Sequence, residues 1–477
     1  MKSFLYLLIL SISGIAANAA VIDCKPGKLT QLIGTETDAT ELTVRGQMDV
    51  TDFDFIADHM PQLRTLNLEA EIVAYKGAVT RNGSGVSESS TLPAYALFGT
   101  KITDLTIGGD ITAFGEAALA GTSLENLTIN APVNAIPDYF ITGVTTIETV
   151  ELPATVVEIG RGAFSGCSNL MVVSAPGVTV INDDAFKGCT NLTEFDFNRN
   201  LTSLGDYAFA STGMVAVNLT QAHAIDEIGE GAFCECDNLQ SVALPAGITG
   251  LPEAMLFRGS AIKELTLPST LTTLGDYSLA GLTGFVPQDG DGVIAGTSLT
   301  TIGNYAMANW SSMSLLTFPE TLSYLGDNAM QGWYALEKLM VPDGMTEVPA
   351  LGSDVWKNTS QKDVTLLVNS SALASQFQVT PQWMDFSVTD MSSSIDLPGD
   401  DQAAFNLTVI NQGDNLLLEC TENITSVTLY DTMGRSLASL YPSDTTVTVS
   451  VNGISATLLV MVVNTESGKT HTKKIIR

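Results

Sequence analysis

Apolar and polar positions along this chain recur at one long, nearly fixed interval. The fullest copy of the unit is Glu158–Pro176, EIGRGAFSGCSNLMVVSAP. An apolar residue and a glycine lead into a turn carrying Ala163 and Phe164. A small residue, Cys167 and Asn169-Leu170 follow, and a short alternating run closes at a proline. Weaker copies start at Ile181, Leu204 and Ile228. The residue after the leading apolar position falls at 115, 137, 160, 182, 205, 229, 252, 275, 303, 326 and 349, in steps of 22 to 24 residues with one step of 28. A period in this range is the signature of a solenoid.

One copy offers a single apolar edge and a single aromatic, too little core to offset chain entropy, so the copies must stack. Stacking predicts a column of Phe164, Phe186, Phe209 and Phe233, continued by Leu279, Met307 and Met330. Leu170, Val173 and Ala175 recur as Leu192, Phe195 and Phe197 and again as Leu239, Val242 and Leu244, the L-x-x-L-x-L rhythm of a leucine-rich repeat. Asp206, Asp276, Asn304 and Asp327 are placed to N-cap a helical turn. Prolines such as Pro176, Pro245 and Pro268 end the strands. The fold class expected is a leucine-rich-repeat solenoid, a right-handed β/α superhelix with a short helix or 3-10 turn per repeat, followed by a small all-β sandwich.

The unit IG-x-x-AF-x-GC-x-NL-x-x-V-x-x-P resembles the BspA-like class of bacterial leucine-rich repeats over about three quarters of the chain. The resemblance implies a curved solenoid, often displayed on a cell surface, where several members act as adhesins. Pro137, Pro252, Pro349 and Asn182 stand where the pattern has glycine.

The pattern changes toward both ends. MKSFLYLLILSISGIAANAA has one lysine, an apolar run and a small-residue end, which reads as a secretory signal peptide over 1–20. An N-terminal cap and first repeat occupy 21–73, with a short helix at PGKLTQLIG, a helix around Asp54–Met60 and the first clear rhythm at Leu63, Leu66 and Leu68. The repeat array runs over 74–362 and opens on a glycine- and serine-rich loop at 75–91. Its C-terminal cap is 363–390, with Trp383 and Phe386 covering the last rung. A linker, 391–404, is small, polar and acidic. From 405 to 477 the period becomes two, and about seven strands are expected. The strand ending in YDTMGR, the late apolar strand and the terminal KKIIR resemble the C-terminal sorting domain of Bacteroidetes type IX secretion substrates. That resemblance implies export to the cell surface or outer membrane, or secretion.

Charge narrows the partners. The formal net charge is −31, while 405–477 holds six acids against five bases, so nearly all the negative charge lies in the repeats. An acidic solenoid lacks the basic face that nucleic acid needs. No later run is long enough to span a bilayer as a helix. The charge is compatible with a basic protein partner or with divalent cations; the partners expected, with the resemblance, are an extracellular protein of a host or neighbouring cell, or a glycan, met by a monomer.

Candidate chemistry is sparse. Cys167, Cys189 and Cys236 occupy one repeat position; a bridge between Cys167 and Cys189 and a stacked pair of free thiols both fit adjacent rungs. Asp289 and Asp291 in DGDG lack the further ligands of a calcium loop and read as a turn. The histidines, His59, His223 and His471, fall in different parts of the chain. Neither catalysis nor a cofactor or metal is expected. Tyr139, Tyr207, Tyr277 and Tyr305 recur before the Ala-apolar turn, as packing residues or as a sugar-stacking ladder. The candidate binding face is formed by the outward strand positions, among them Asp104, Asn126, Thr149, Glu151, Glu194, Asp196, Asn218, Glu264 and Lys338. The expected function is binding or adhesion through that face, with a glycan-binding accessory role in carbohydrate uptake as the alternative.

Overall fold

The computed structural model describes residues 19–34, 37–75, 88–108, 110–225, 227–256, 258, 261–286, 294, 296–391, 407–411, 415–430, 435–452, 454, 458–467 and 470–476. The signal peptide up to residue 18, most of the 75–91 loop, Asp289 and Asp291, nearly all of the linker and the DTMG of YDTMGR lie outside them. The chain divides into two compact units, Met1–Leu367 with Leu373–Thr389, and Val368–Ala372 with Asp390–Arg477.

The first unit is a solenoid whose rungs are joined along three lines. On the first line lie the alternating strands. Ala19–Cys24, Glu41–Met48, Thr65–Leu68, Asp104–Ile107 and Asn126–Ile129 pair in parallel in that order. Like residues sit over like: Leu66 faces Leu105, which faces Leu127. Leu66, Leu68, Leu105 and Ile107 point inward and are buried, as period-two alternation requires. The same line continues as Thr149–Glu151 with Val172–Ser174, then as Ala216–Asn218, Ser241–Ala243 and Glu264–Thr266.

The second line consists of two-residue strands. Ile136, Ile159, Ile181, Leu204 and Ile228 occupy its inward positions and are all buried. The glycine that follows serves close approach between rungs: a Cβ on Gly160 would sit 2.6 Å from the Asp138 amide nitrogen. Leu325 pairs with Leu351 on this line, so the last rung's glycine is Gly352 and not the position of Pro349. Leu92 pairs with Phe114, which adds a rung at Pro93 that the 115-to-349 series omits.

The third line is the turn, and here the expected helical turn is absent. Among the described residues the helices are Leu29–Ile33, Val50–His59 and Ser371–Phe377, with one 3-10 turn at Gln361–Asp363; none repeats with the rungs. Instead each turn places two residues in the left-handed region. Tyr139 and Gly143 do so in one rung (φ 56° and 71°), Asp184 and Gly188 two rungs later (φ 53° and 74°). Their N–H groups then aim along the solenoid axis rather than back along a helix. The amides of Tyr139, Ile141 and Gly143 donate to the carbonyls of Arg161, Ala163 and Ser165 on the next rung, and this triplet recurs through the array. Strain from non-glycine residues at positive φ is offset by a hydrogen bond that a helix would have spent internally.

Under the turn runs the aromatic column. Phe164 and Phe186 stack with centroids 5.0 Å apart and planes at 4°, Phe186 and Phe209 at 5.0 Å and 20°, Phe209 and Phe233 at 5.8 Å and 18°. Leu279, Met307 and Met330 are fully buried farther along. The N-terminal end is closed by Val50–His59, whose Asp49 and Asp52 form a capping box. Buried Asp52 also accepts from the amides of Gly27 and Leu29 at 2.8 and 2.9 Å, tying the first helix to the second. At the other end Trp383 meets Trp356 edge-on at 5.5 Å and Phe377 at 5.1 Å, with Phe386 also packed on Trp356.

Among the described residues from 405 onward there are six strands, where about seven are expected for 405–477. The expected strands NLLLEC and SVTLY are one continuous strand, Asn415–Tyr430. Its first half pairs with Leu407–Asn411 and Asp444–Ser450, and its second half with Ser436–Leu440 and Leu458–Thr465. Register shifts between Glu419 and Ser426 separate the two halves of this strand, each with its own pair of partners. Leu416, Leu418, Val427, Leu429, Val447 and Met461 share the core between them.

Candidate functional site

The alternating strands present two outward columns. Thr65, Asp104 and Asn126 stand in register in one; Thr43, Asn67, Thr106 and Thr128 form the other. Asn126 donates through Nδ2 to Asp104 Oδ1 at 2.7 Å, and Thr103 donates to Asp104 Oδ2 at 2.7 Å. Thr149, Glu151, Asn218, Glu264 and Lys338 are exposed on later strands. Met340 departs from the expected exposure: it is buried, in a strand whose last three residues are all buried.

Glu194 and Asp196 are exposed, but no strand carries them. The strand line breaks at this rung. Where neighbouring rungs place Val173 or Val217 inward, this one places Phe195, whose ring lies 5.3 Å from Phe186 and 5.1 Å from Phe209. Phe197 adds a second ring 5.2 Å from Phe209. Two phenylalanines fill the space between rungs, and the backbone over them leaves the ladder. The candidate residues thus fall on separate sheet segments: Asp104 and Asn126 are brought together, Thr149 and Glu151 share one strand, and Asn218 and Glu264 lie two rungs apart.

The acids sort into two groups by what they touch. Those after the rung glycine are structural. Asp276 Oδ1 accepts from the Asn304 amide at 2.7 Å, Asn304 Oδ1 from the Asp327 amide at 2.8 Å, and Asp327 Oδ1 from the Ser353 amide at 2.6 Å. Asp138, Asp183 and Asp206 do the same at 2.7, 3.0 and 2.8 Å. These side chains cap the next rung, not a helix of their own. On the strand line, the side chains of Glu151 and Glu264 make no hydrogen bond or ion pair among the described residues, nor do those of Glu194 and Asp196 in the break of that line, whereas Asp104, Asn126 and Asn218 are held locally.

The cysteine position is a buried donor site. Cys167, Cys189 and Cys236 are unbridged, and each donates its thiol to the carbonyl of the rung before, Ile141, Phe164 and Phe209, at 3.1 to 3.2 Å. Burial pushes the Cys167 thiol up to about 12. Trp310 and Trp333 occupy the same position and donate Nε1 to Leu279 and Met307 at 2.7 Å. Cysteine and tryptophan fill this position as donors to the rung before, whereas Val144 and Leu282 fill it as buried apolar side chains.

The repeated tyrosines line the turn. Tyr277 and Tyr305 stack at 4.8 Å with planes at 3°, and the Tyr139 and Tyr207 rings lie over Gly162 and Gly231 of the following rungs. Tyr207 donates to Glu230 at 2.7 Å, and that bond, with burial, pushes its phenol up to about 12. His59 stacks on Phe55, far in sequence from exposed His223. Among the described residues no group of three or more His, Cys, Asp or Glu side chains is arranged to hold a metal, and no helix is long and apolar enough to cross a membrane.

Comparison with known proteins agrees with this construction. Six copies of the BspA type leucine rich repeat region match at residues 86–171, 172–285 and 292–378. A leucine-rich repeat protein of T. pallidum is 30% identical over 33% of this chain and 73% of its own, with a TM-score of 0.31. A leucine-rich repeat protein from Bacteroides ovatus is 17% identical, covering 65% of this chain and 89% of that one, TM-score 0.36. The pneumococcal vaccine antigen PcpA is 16% identical, covering 61% and 78%, TM-score 0.35. None of the curated proteins matches the chain. With the family's repeat matched over more than half of its length, the chain belongs to the BspA-type leucine-rich repeat family.

Proposed function

We propose that this is an exported, surface-displayed, non-enzymatic binding protein that recognises an extracellular macromolecule through the strand face of its solenoid. The observation that carries the reading is the division of the acids. The carboxylates that follow the rung glycine are consumed in joining rungs, while the side chains of Glu151, Glu194, Asp196 and Glu264 stand exposed with no hydrogen bond or ion pair among the described residues. Solvated carboxylates on a regular face cost the fold little and leave a negative potential that a basic protein patch meets. The test is capture of purified extracellular proteins of host and neighbouring cells on the immobilised protein, repeated with Glu194→Gln/Asp196→Asn. Capture that the double variant loses supports the reading; capture indifferent to it moves recognition off this face.

The C-terminal unit is proposed to serve export, as its resemblance to type IX sorting domains implies. Removing 406–477 should then strand the solenoid in the periplasm, measured by fractionation and by antibody labelling of intact cells. Truncated protein that still reaches the surface would reduce the unit to a structural domain.

A further inference from the structure

The rungs from Gly229 to Gly326 carry a hollow that the strand face does not share. Its volume is about 490 Å³, and Asp237, Arg258, Gly281, Thr283, Asn309, Ser311 and Tyr334 line it. These residues come from two repeat positions. Arg258, Gly281 and Asn309 are the second left-handed residue of three successive turns (φ 67°, 88° and 63°). Asp237, Thr283, Ser311 and Tyr334 each lie two residues beyond the second left-handed residue of their turn. Elsewhere that position is usually Ser or Thr, as at Ser123, Thr145, Ser168 and Thr190. In the hollow it becomes a carboxylate at one end and an exposed aromatic at the other.

The floor is Gly281, which lacks a side chain between the rungs of Arg258 and Asn309. Tyr334 is 67% exposed although the Trp333 beside it is fully buried, so its ring contributes nothing to the core. Arg258 pairs with Glu235 at 3.3 Å. Its charge is therefore matched, and Asp237 adds a further carboxylate. An anionic ligand would meet net negative charge. Five successive rungs contribute, and four intervals of about 4.8 Å give a track of roughly 19 Å.

From these features we infer that the hollow is a binding site for a short neutral oligosaccharide. Tyr334 offers an apolar ring face to the C–H side of a pyranose, the use to which a half-wet tyrosine is suited. Asp237, Asn309, Ser311 and Thr283 offer acceptors and donors along the track for ring hydroxyls. The site lies on the turn side and is independent of the strand-face reading; either can fail without the other.

The test uses the full mature protein and neutral oligosaccharides of glucose, mannose, galactose, xylose and N-acetylglucosamine, with sialylated and sulfated glycans beside them. Binding is measured by calorimetry and by saturation-transfer NMR. At least one neutral oligosaccharide should bind, and Tyr334→Ala should weaken it about tenfold. Asp237→Ala should weaken it too, while Tyr324→Ala, an exposed tyrosine outside the hollow, should leave it unchanged. Unaltered thermal melts of the variants separate loss of the site from loss of the fold. Binding of anionic glycans alone, binding equal in Tyr334→Ala, or no binding to any neutral oligosaccharide would overturn the inference.

Discussion

The ring of Phe164 lies flat against that of Phe186, 5.0 Å between centroids and 4° between planes, although 22 residues separate them. Each ring is fixed to its own rung by the turn ladder: the Phe164 amide donates to the Ala185 carbonyl and the Phe186 amide to that of Ala208. Neighbouring rings therefore cannot slide to fill a void. Phe186→Ala should cost about 3–5 kcal/mol, as usual for a buried aromatic truncated in a site that cannot collapse. Equilibrium unfolding in denaturant measures it, and a loss below about 1 kcal/mol would mean the column carries no such burden.

The inter-rung carboxylate ladder makes a separate prediction. Asp276 accepts from both the Asn304 amide and Asn304 Nδ2. Asp276→Ala removes both bonds and leaves a backbone donor without its partner, at a cost of about 1–2 kcal/mol. Asp276→Asn keeps an oxygen for the amide and should lose less than half of that. Equal losses in the two variants would show that the charge, not the oxygen, holds the rungs.

What could be read beforehand follows from where the determinants lie. The column and the strand alternation depend on residue type at a fixed spacing; the alternation is visible in one copy of the unit and the column in successive copies. The turn was misread as helical because its hydrogen bonds are made to another rung, so Tyr139 or Asp184 at positive φ has no local sequence signature. The rung after Gly326 was placed at Pro349 instead of Gly352 because the connecting segment lengthens there. Glu194 and Asp196 were assigned to a strand on pattern alone. Volume decides otherwise, since Phe195 satisfies the apolar rule but is too large for a rung that elsewhere holds valine.

The thiols give a dependence on pH. Burial holds Cys167 at about 12, above the ordinary 9.0, and pushes Cys189 in the same direction. A thiol whose folded pKa is raised stabilises the fold fully below its unfolded value and loses that contribution as pH rises toward the folded one. The solenoid should therefore lose stability above about pH 9, through thiolate formation in the unfolded chain. At pH 8 the folded protein should leave both thiols unalkylated by iodoacetamide, while denatured protein reacts at once. Modification of native protein at the denatured rate would contradict the buried hydrogen bonds to Ile141 and Phe164.

The most direct test of the strand-face account is the association rate of a captured protein partner, followed by surface plasmon resonance across a range of salt. Glu194 and Asp196 are both exposed, and a basic patch feels them within about 8 Å at physiological salt. Glu194→Gln/Asp196→Asn should slow association by about threefold to tenfold with little change in dissociation, and raised salt should slow the unaltered protein toward the same rate. An association rate indifferent to both the double substitution and salt would contradict the account and leave the strand-face carboxylates as a solubility feature alone.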